Sequence, residues 1–173
     1  MRTHTIAVLG LCFALAGCAS TTVQTTGPAT RPLCRVDLSA LVVWEPKWRP
    51  DQKDGPEREA AAQRGIERFF ADSGCFADTE IRRNDDRMLE IGADRLVAIR
   101  VRELGPVVRL LGSPALIDGG TEVVLEVKVL DARTLEILAD LRTHWQHGGP
   151  GVIKGVGTLE DDMRAALAAV MTF

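Results

Sequence analysis

Tyrosine is absent from this chain of 173 residues, and aromatic side chains make up only 5% of it. A stacking platform for bases or sugar rings has little to be built from. Charge of one sign is also missing: Lys and Arg number 21 against 24 Asp and Glu, interspersed throughout, for a net charge of −3. That excludes the basic stripe of a nucleic-acid surface. No apolar run reaches the length of a membrane-spanning helix, because the longest, Ile6 to Leu15, is too short to cross a bilayer. The length suits one domain with a single core.

What is present begins with an export signal. Arg2 supplies a positive start, the run from Ile6 to Leu15 an apolar centre, and Leu15-Ala16-Gly17-Cys18 a small-residue cleavage site ending in cysteine. This order resembles the lipobox of bacterial lipoproteins. The resemblance implies removal of residues 1–17, lipid on Cys18 as the mature N-terminus, and attachment to a membrane by acyl chains. Ala19 rather than Asp after Cys18 implies, by the sorting preference of such lipoproteins, the periplasmic face of the outer membrane. Residues 18–33, rich in Thr with Gly27, Pro28 and Pro32, show no strand or helix period and are expected to form a flexible tether. It would reach roughly 20 Å coiled and about 50 Å stretched. Residues 34–173 are expected to form the single periplasmic domain.

Of the four cysteines, Cys12 would leave with the signal and Cys18 would carry lipid, so Cys34 and Cys75 remain as a pair. Disulfides persist in an exported, oxidising compartment. A helix returning antiparallel across its strand would bring the residue before the strand beside the residue after the helix. Cys34 and Cys75 occupy those places, and a bridge is expected, with two buried free thiols as the alternative. Closing such a loop would stabilise by about 3–4 kcal/mol on the chain-entropy account.

Val36, Leu38 and Leu41 to Val43 predict a buried strand that stops at Trp44-Glu45-Pro46. Pro56 opens a helix whose stripe is Ala62, Ile66, Phe69 and Phe70, with Arg58, Arg64, Glu67 and Arg68 elsewhere around it, closed by Gly74. Thr79 to Arg83 predicts a short strand, and Asp85 or Asp86 a cap for a short helix through Met88, Leu89 and Ile91. Three alternating blocks follow, with inward sets Val97, Ile99, Val101; Val123, Leu125, Val127, Val129; and Ile137, Ala139, Leu141, Trp145. They predict a meander packed on one side. Thr158 would cap a last helix, with Asp161 in a weakened capping box. The order β-α-β-α-β-β-β-α describes an α/β (α+β) two-layer sandwich, with helices on one face of a mixed sheet.

Sites of chemistry are not apparent. His144 and His147, three apart on a strand, point to opposite faces and would not share a metal. Lys154 in the glycine-rich run Gly148 to Gly157 fails the P-loop pattern. Asp85-Asp86 and Asp161-Asp162 fall at helix starts, and Ser39 and Ser113 have no nucleophile-elbow context. No catalytic residue, metal or cofactor is expected.

Contact surfaces are the remaining candidates. Trp44 and Trp48 lie beside prolines in an expected loop, where an exposed Trp would anchor a partner. The stretch from Leu104 to Ile117, with Val108, Leu110, Leu111 and Leu116, reads as an unusually apolar loop between strands. The charged sheet face is the third. Val42-Val43-Trp44-Glu45-Pro46, Ser73-Gly74-Cys75-Phe76, Gly92-Ala93-Asp94-Arg95-Leu96-Val97 and Val129-Leu130-Asp131-Ala132-Arg133-Thr134 resemble a loose group of envelope lipoproteins. That group includes the curli-secretion channel CsgG, the Pel export lipoprotein PelC and the amino-terminal domain of TolB. The Phe-Glu-Asn ending of the first strand is absent here, as is a channel former's long insertion, which weakens the implication of a pore. The resemblance implies a non-enzymatic accessory, assembly or export-complex part working through an envelope protein partner or self-oligomer. The alternative is a periplasmic small-ligand or glycan-binding lipoprotein, its site between the sheet and the Leu104–Ile117 stretch.

Overall fold

The structure, a computed structural model, describes residues 19–30, 32–48, 53–84, 92–110 and 117–172. The strands are β1 (Ser20–Thr26), β2 (Arg35–Pro46), β3 (Phe76–Arg83), β4 (Arg95–Leu110), β5 (Ile117–Asp131) and β6 (Ile137–Pro150). The helices are α1 (Gly55–Ser73) and α2 (Leu159–Met171), the latter entered through a 3₁₀ turn at Val156–Thr158. Six strands form one mixed sheet in the order β1-β6-β5-β4-β2-β3. β2 runs parallel to β3 and β4, and the other neighbours are antiparallel.

Alternation built the covered face as expected. Val42, Trp44, Val97, Ile99, Val101, Val123, Leu125, Val127, Val129, Ala139, Leu141 and Trp145 are all buried in one core with both helices. Ile137 departs from its predicted inward set and is exposed, because the ladder slips by one position between Val129 and Leu130; a one-residue slip turns a side chain to the other face. From α1 come Ala61, Ala62, Ile66, Phe69 and Phe70, and from α2 Leu159, Met163, Ala166, Leu167 and Val170. The two helices pack side by side. A Cβ at Gly65 would lie 2.7 Å from Met163 Cβ and 2.8 Å from the Glu160 carbonyl oxygen, so only glycine permits this approach. Arg64 and Arg68 then pair with Glu160 at 2.8 and 3.4 Å, and Arg68 with Asp161 at 2.9 Å. That ion pair, rather than a capping box, is what Asp161 makes.

The expected tether is a strand instead. β1 pairs antiparallel with β6 from Ser20 opposite Gly148 to Thr26 opposite Arg142. Beyond it the Thr30 amide donates to Leu138 at 2.7 Å, and Pro28 accepts from Asp140 at 3.0 Å. An edge strand has one side in solvent, so its sequence shows little apolar alternation. Val23 alone packs on the core, opposite Trp145, and the Thr25 and Thr143 hydroxyls bond at 3.1 Å. Threonine's β-branched side chain favours this geometry.

The apolar stretch from Leu104 is likewise not a loop over its first half. β4 continues through Gly105-Pro106 to Leu110, opposite β5. β2 ends opposite Val101, just before a bulge between Val101 and Glu103, so beyond that point one side of β4 has no strand partner among the described residues and can hold a proline. Arg58, which lies off the predicted apolar stripe of α1, is only 8% exposed. Its Nη1 donates to the Leu104 carbonyl and its Nε to that of Lys53 at 2.6 Å. A Cβ on Gly105 would collide with the guanidinium. The short helix expected over Met88 to Ile91 lies outside the described residues.

Cys34 and Cys75 form the expected disulfide, with Cα atoms 4.6 Å apart. It ties the start of β2 to the join of α1 and β3.

Candidate contact surfaces

Helices cover one face of the sheet, and the other carries a lattice of charges. Arg100 donates to Glu45 at 2.6 Å and to Glu126 at 3.1 Å, Arg102 lies 3.8 Å from Glu126, and Lys128 pairs with Asp140 at 3.0 Å. Burial opposes ionisation of Glu45, yet Arg100 and Lys47 hold its carboxyl below the usual range. Asp94, just before β4, accepts from the Ser39 amide at 3.1 Å and hydroxyl at 2.9 Å. Those bonds, with Arg133 beside it, also lower its pKa. Ser39 is thereby a structural residue. Arg142 is the guanidinium on this face with no carboxylate partner among the described residues. A hollow of about 560 Å³ lies here, lined by Glu45, Asn84, Arg100, Lys128, Asp140 and Arg142 among others.

Each predicted site residue has a definite place. Trp44 is 2% exposed and belongs to the core, so it offers no anchor to a partner; β2 turns it inward beside Val42. Trp48 packs half-buried against the same core, its indole N–H without an acceptor among the described residues. Val108 stands out on β4 at 63% exposed. Leu110 ends β4 opposite Ile117. Leu111, Leu116, Ser113, the Asp85-Asp86 pair and the signal with Cys18 lie outside the described residues.

The two histidines do occupy opposite faces. His144 meets Glu122 on the open face. His147 stacks on Trp145 with centroids 5.8 Å apart and bonds the Thr21 hydroxyl at 2.8 Å. Lys154 donates to Asp162 at 2.6 Å, and the Thr158 hydroxyl to the same carboxylate at 3.1 Å. The lysine of the glycine-rich run is thus held in a largely buried ion pair that fastens the start of α2. Among the described residues no group of His, Cys, Asp and Glu is placed to hold a metal, and no helix is long and apolar enough to cross a membrane. Sequence reasoning missed β1 and Arg58. Threonine enrichment was the available signal for the first. For the second, only the premature end of β2 explains the residue.

No family model and no curated protein matches the chain. Among solved structures it is similar to the PelC dodecamer from Paraburkholderia phytofirmans, with 15% identity, 89% of this chain and 99% of that chain covered, and a TM-score of 0.48. It is also similar to a DUF330 protein from Xanthomonas campestris, with 19% identity, 83% and 85% covered, and a TM-score of 0.46. A third is lipoprotein GNA1162 from Neisseria meningitidis, with 14% identity, 76% and 97% covered, and a TM-score of 0.40. These are likenesses of fold.

Proposed function

We propose that this chain is a bacterial envelope lipoprotein, held through Cys18 on the periplasmic face of the outer membrane and acting through protein contacts without catalysis of its own. One observation carries the reading. The lipobox cysteine stands a single residue, Ala19, ahead of a strand that is built into the edge of the folded sheet. The anchor and the domain are therefore one mechanical unit. The charged open face and the outer side of β1, unpaired among the described residues, are left for partners, either another envelope protein or further copies of this chain.

Labelling with an alkyne fatty acid tests the anchor: wild type should label and enter the detergent phase, and Cys18→Ser should do neither. Equal labelling of both would contradict it. Light scattering of the lipidated protein in detergent, corrected for the micelle, tests self-contact. A discrete multiple of the chain mass supports it, and a monomer moves the reading to a foreign partner.

The hollow on the open face favours a second reading, binding of a small ligand or glycan. The site first expected for it, between the sheet and a Leu104–Ile117 loop, is replaced by the hollow because Leu104–Leu110 is strand. Saturable calorimetric titration with envelope sugars, abolished by Arg142→Ala, would select this reading over the first.

A further inference from the structure

The sheet has two unlike ends. At one, Arg95 pairs with Asp131 at 2.7 Å, Arg133 with Asp94 at 3.3 Å and Arg35 with Asp37 at 2.9 Å. At the other, Ser20 stands opposite Gly148, Gly148 opposite Gly120, Pro150 opposite Asp118 and Leu110 opposite Ile117. β4 to β6 and β1 reach this second end after β2 has stopped opposite Val101, so it projects past β2.

Among the described residues of these strands, charge is sparse there. Over Val107–Leu110 and Ile117–Gly120 only Arg109 and Asp118 are charged, and they stand opposite each other in register. From Gln146 to Ile153 there is no Asp, Glu, Lys or Arg, and β1 has none either. Lys154, the next cation, is committed to Asp162. Exposed apolar side chains remain: Val108 at 63% and Ile153 at 85%. The Val152 carbonyl lies over Gly119, the cross-strand partner of Val108, so the segment that carries Ile153 crosses the sheet on the same face as Val108. Val36, Leu135 and Ile137 are exposed at the opposite end as well, but among the ion pairs just named. Scattered apolar residues are ordinary on a surface; here their exposure coincides with the loss of charge and with the anchor.

We infer that this end of the sheet is seated on the lipid surface, with Val108 and Ile153 in the boundary between headgroups and acyl chains. The inference rests on the lipoprotein reading of Cys18. With only Ala19 between Cys18 and Ser20, the acylated residue lies within about 7 Å of the sheet's end. Interfacial apolar groups sink roughly 5–10 Å into that boundary, a matching depth. The acyl chains supply the retention, and the patch supplies orientation. The strands then stand away from the membrane, the open charged face looks sideways, and the ion-paired end points into the periplasm.

A photoreactive benzophenone side chain placed at position 108, 153 or 135 in the full lipidated protein, bound to phosphatidylethanolamine–phosphatidylglycerol vesicles, tests this. Lipid adducts at 108 and 153 should exceed those at 135 at least about tenfold. Equal adducts at all three, or none at 108 and 153 on protein that floats with vesicles, overturns the orientation. Amide exchange on the unlabelled chain gives a second readout: residues 118–122 and 148–153 should slow on vesicles relative to the unlipidated Cys18→Ser protein in buffer, and unchanged exchange overturns it. The mass of the N-terminal peptide separates the two claims. An acylated Cys18 without tip adducts sinks only the orientation, whereas an unmodified Cys18 sinks the lipoprotein reading and this inference with it.

Discussion

The same strands present two faces that are held by different physics. On the covered face, Val97, Ile99, Val127 and Leu141 are removed from water by α1 and α2, and stability scales with apolar area and packing density. On the open face, one residue along, Ala98, Arg100, Lys128 and Asp140 border a solvated hollow. Exposed ion pairs contribute little to stability because water already satisfies both partners. The comparison teaches that one sheet can separate fold from contact: one face fixes the structure, and the other is free to vary its charges for recognition.

The largest test removes a covered-face anchor. Trp44→Ala should cost about 3–5 kcal/mol in urea unfolding; a cost below about 1 kcal/mol would mean that Trp44 belongs to a surface after all. Next comes the clamp between the helix layer and β2. Replacing both Cys34 and Cys75 by Ser should cost about 3–4 kcal/mol, since the bridge closes a separation of 41 residues. A free-thiol assay on denatured wild-type protein should meanwhile find neither of these cysteines reactive without reductant. On the open face, Arg100→Gln should change stability by less than about 1 kcal/mol, because Arg100 is 45% exposed despite its two carboxylate partners. A larger loss would erase the distinction between the faces.

The smallest effect is a pH dependence. The pKa values of Asp94, Asp131 and Glu45 are lowered in the folded chain. A depressed carboxylate contributes stability above its unfolded pKa and loses that contribution as pH falls through the folded value. Stability should therefore hold at neutral pH and decline from the ordinary carboxylate range downward. Asp94→Asn should lower stability at neutral pH and flatten that decline, as read from urea midpoints across an acid series. An unaltered slope would show that the Ser39 and Arg133 contacts do not form.

Much of the covered face was legible in the sequence. Val123 to Val129 alternate cleanly because β5 lies between two neighbours and is buried on one side only. The Cys34–Cys75 bridge followed from the placement of one strand and one helix. β1 was not legible, since an edge strand needs only Val23 to be apolar and the rest can be threonine. Gly105-Pro106 looked like a break because the unpaired stretch of β4, guarded by Arg58, exists only once β2 has ended. Contact surfaces were the least legible: Trp44 and Trp48 share an expected loop in sequence, and β2 buries the first while the second packs half-buried against the core.

The claim on which the proposed function depends is that the residues after Cys18 lead into the sheet and not into a tether. Amide hydrogen exchange across Ser20–Thr26 in the full-length protein tests it most directly. Slowed exchange at alternate amides, with protection comparable to the facing positions of β6 from Arg142 to Gly148, is the predicted result. Exchange at the rate of a free peptide throughout Ser20–Thr26 would restore the tether, separate the domain from the proposed anchor and contradict the account.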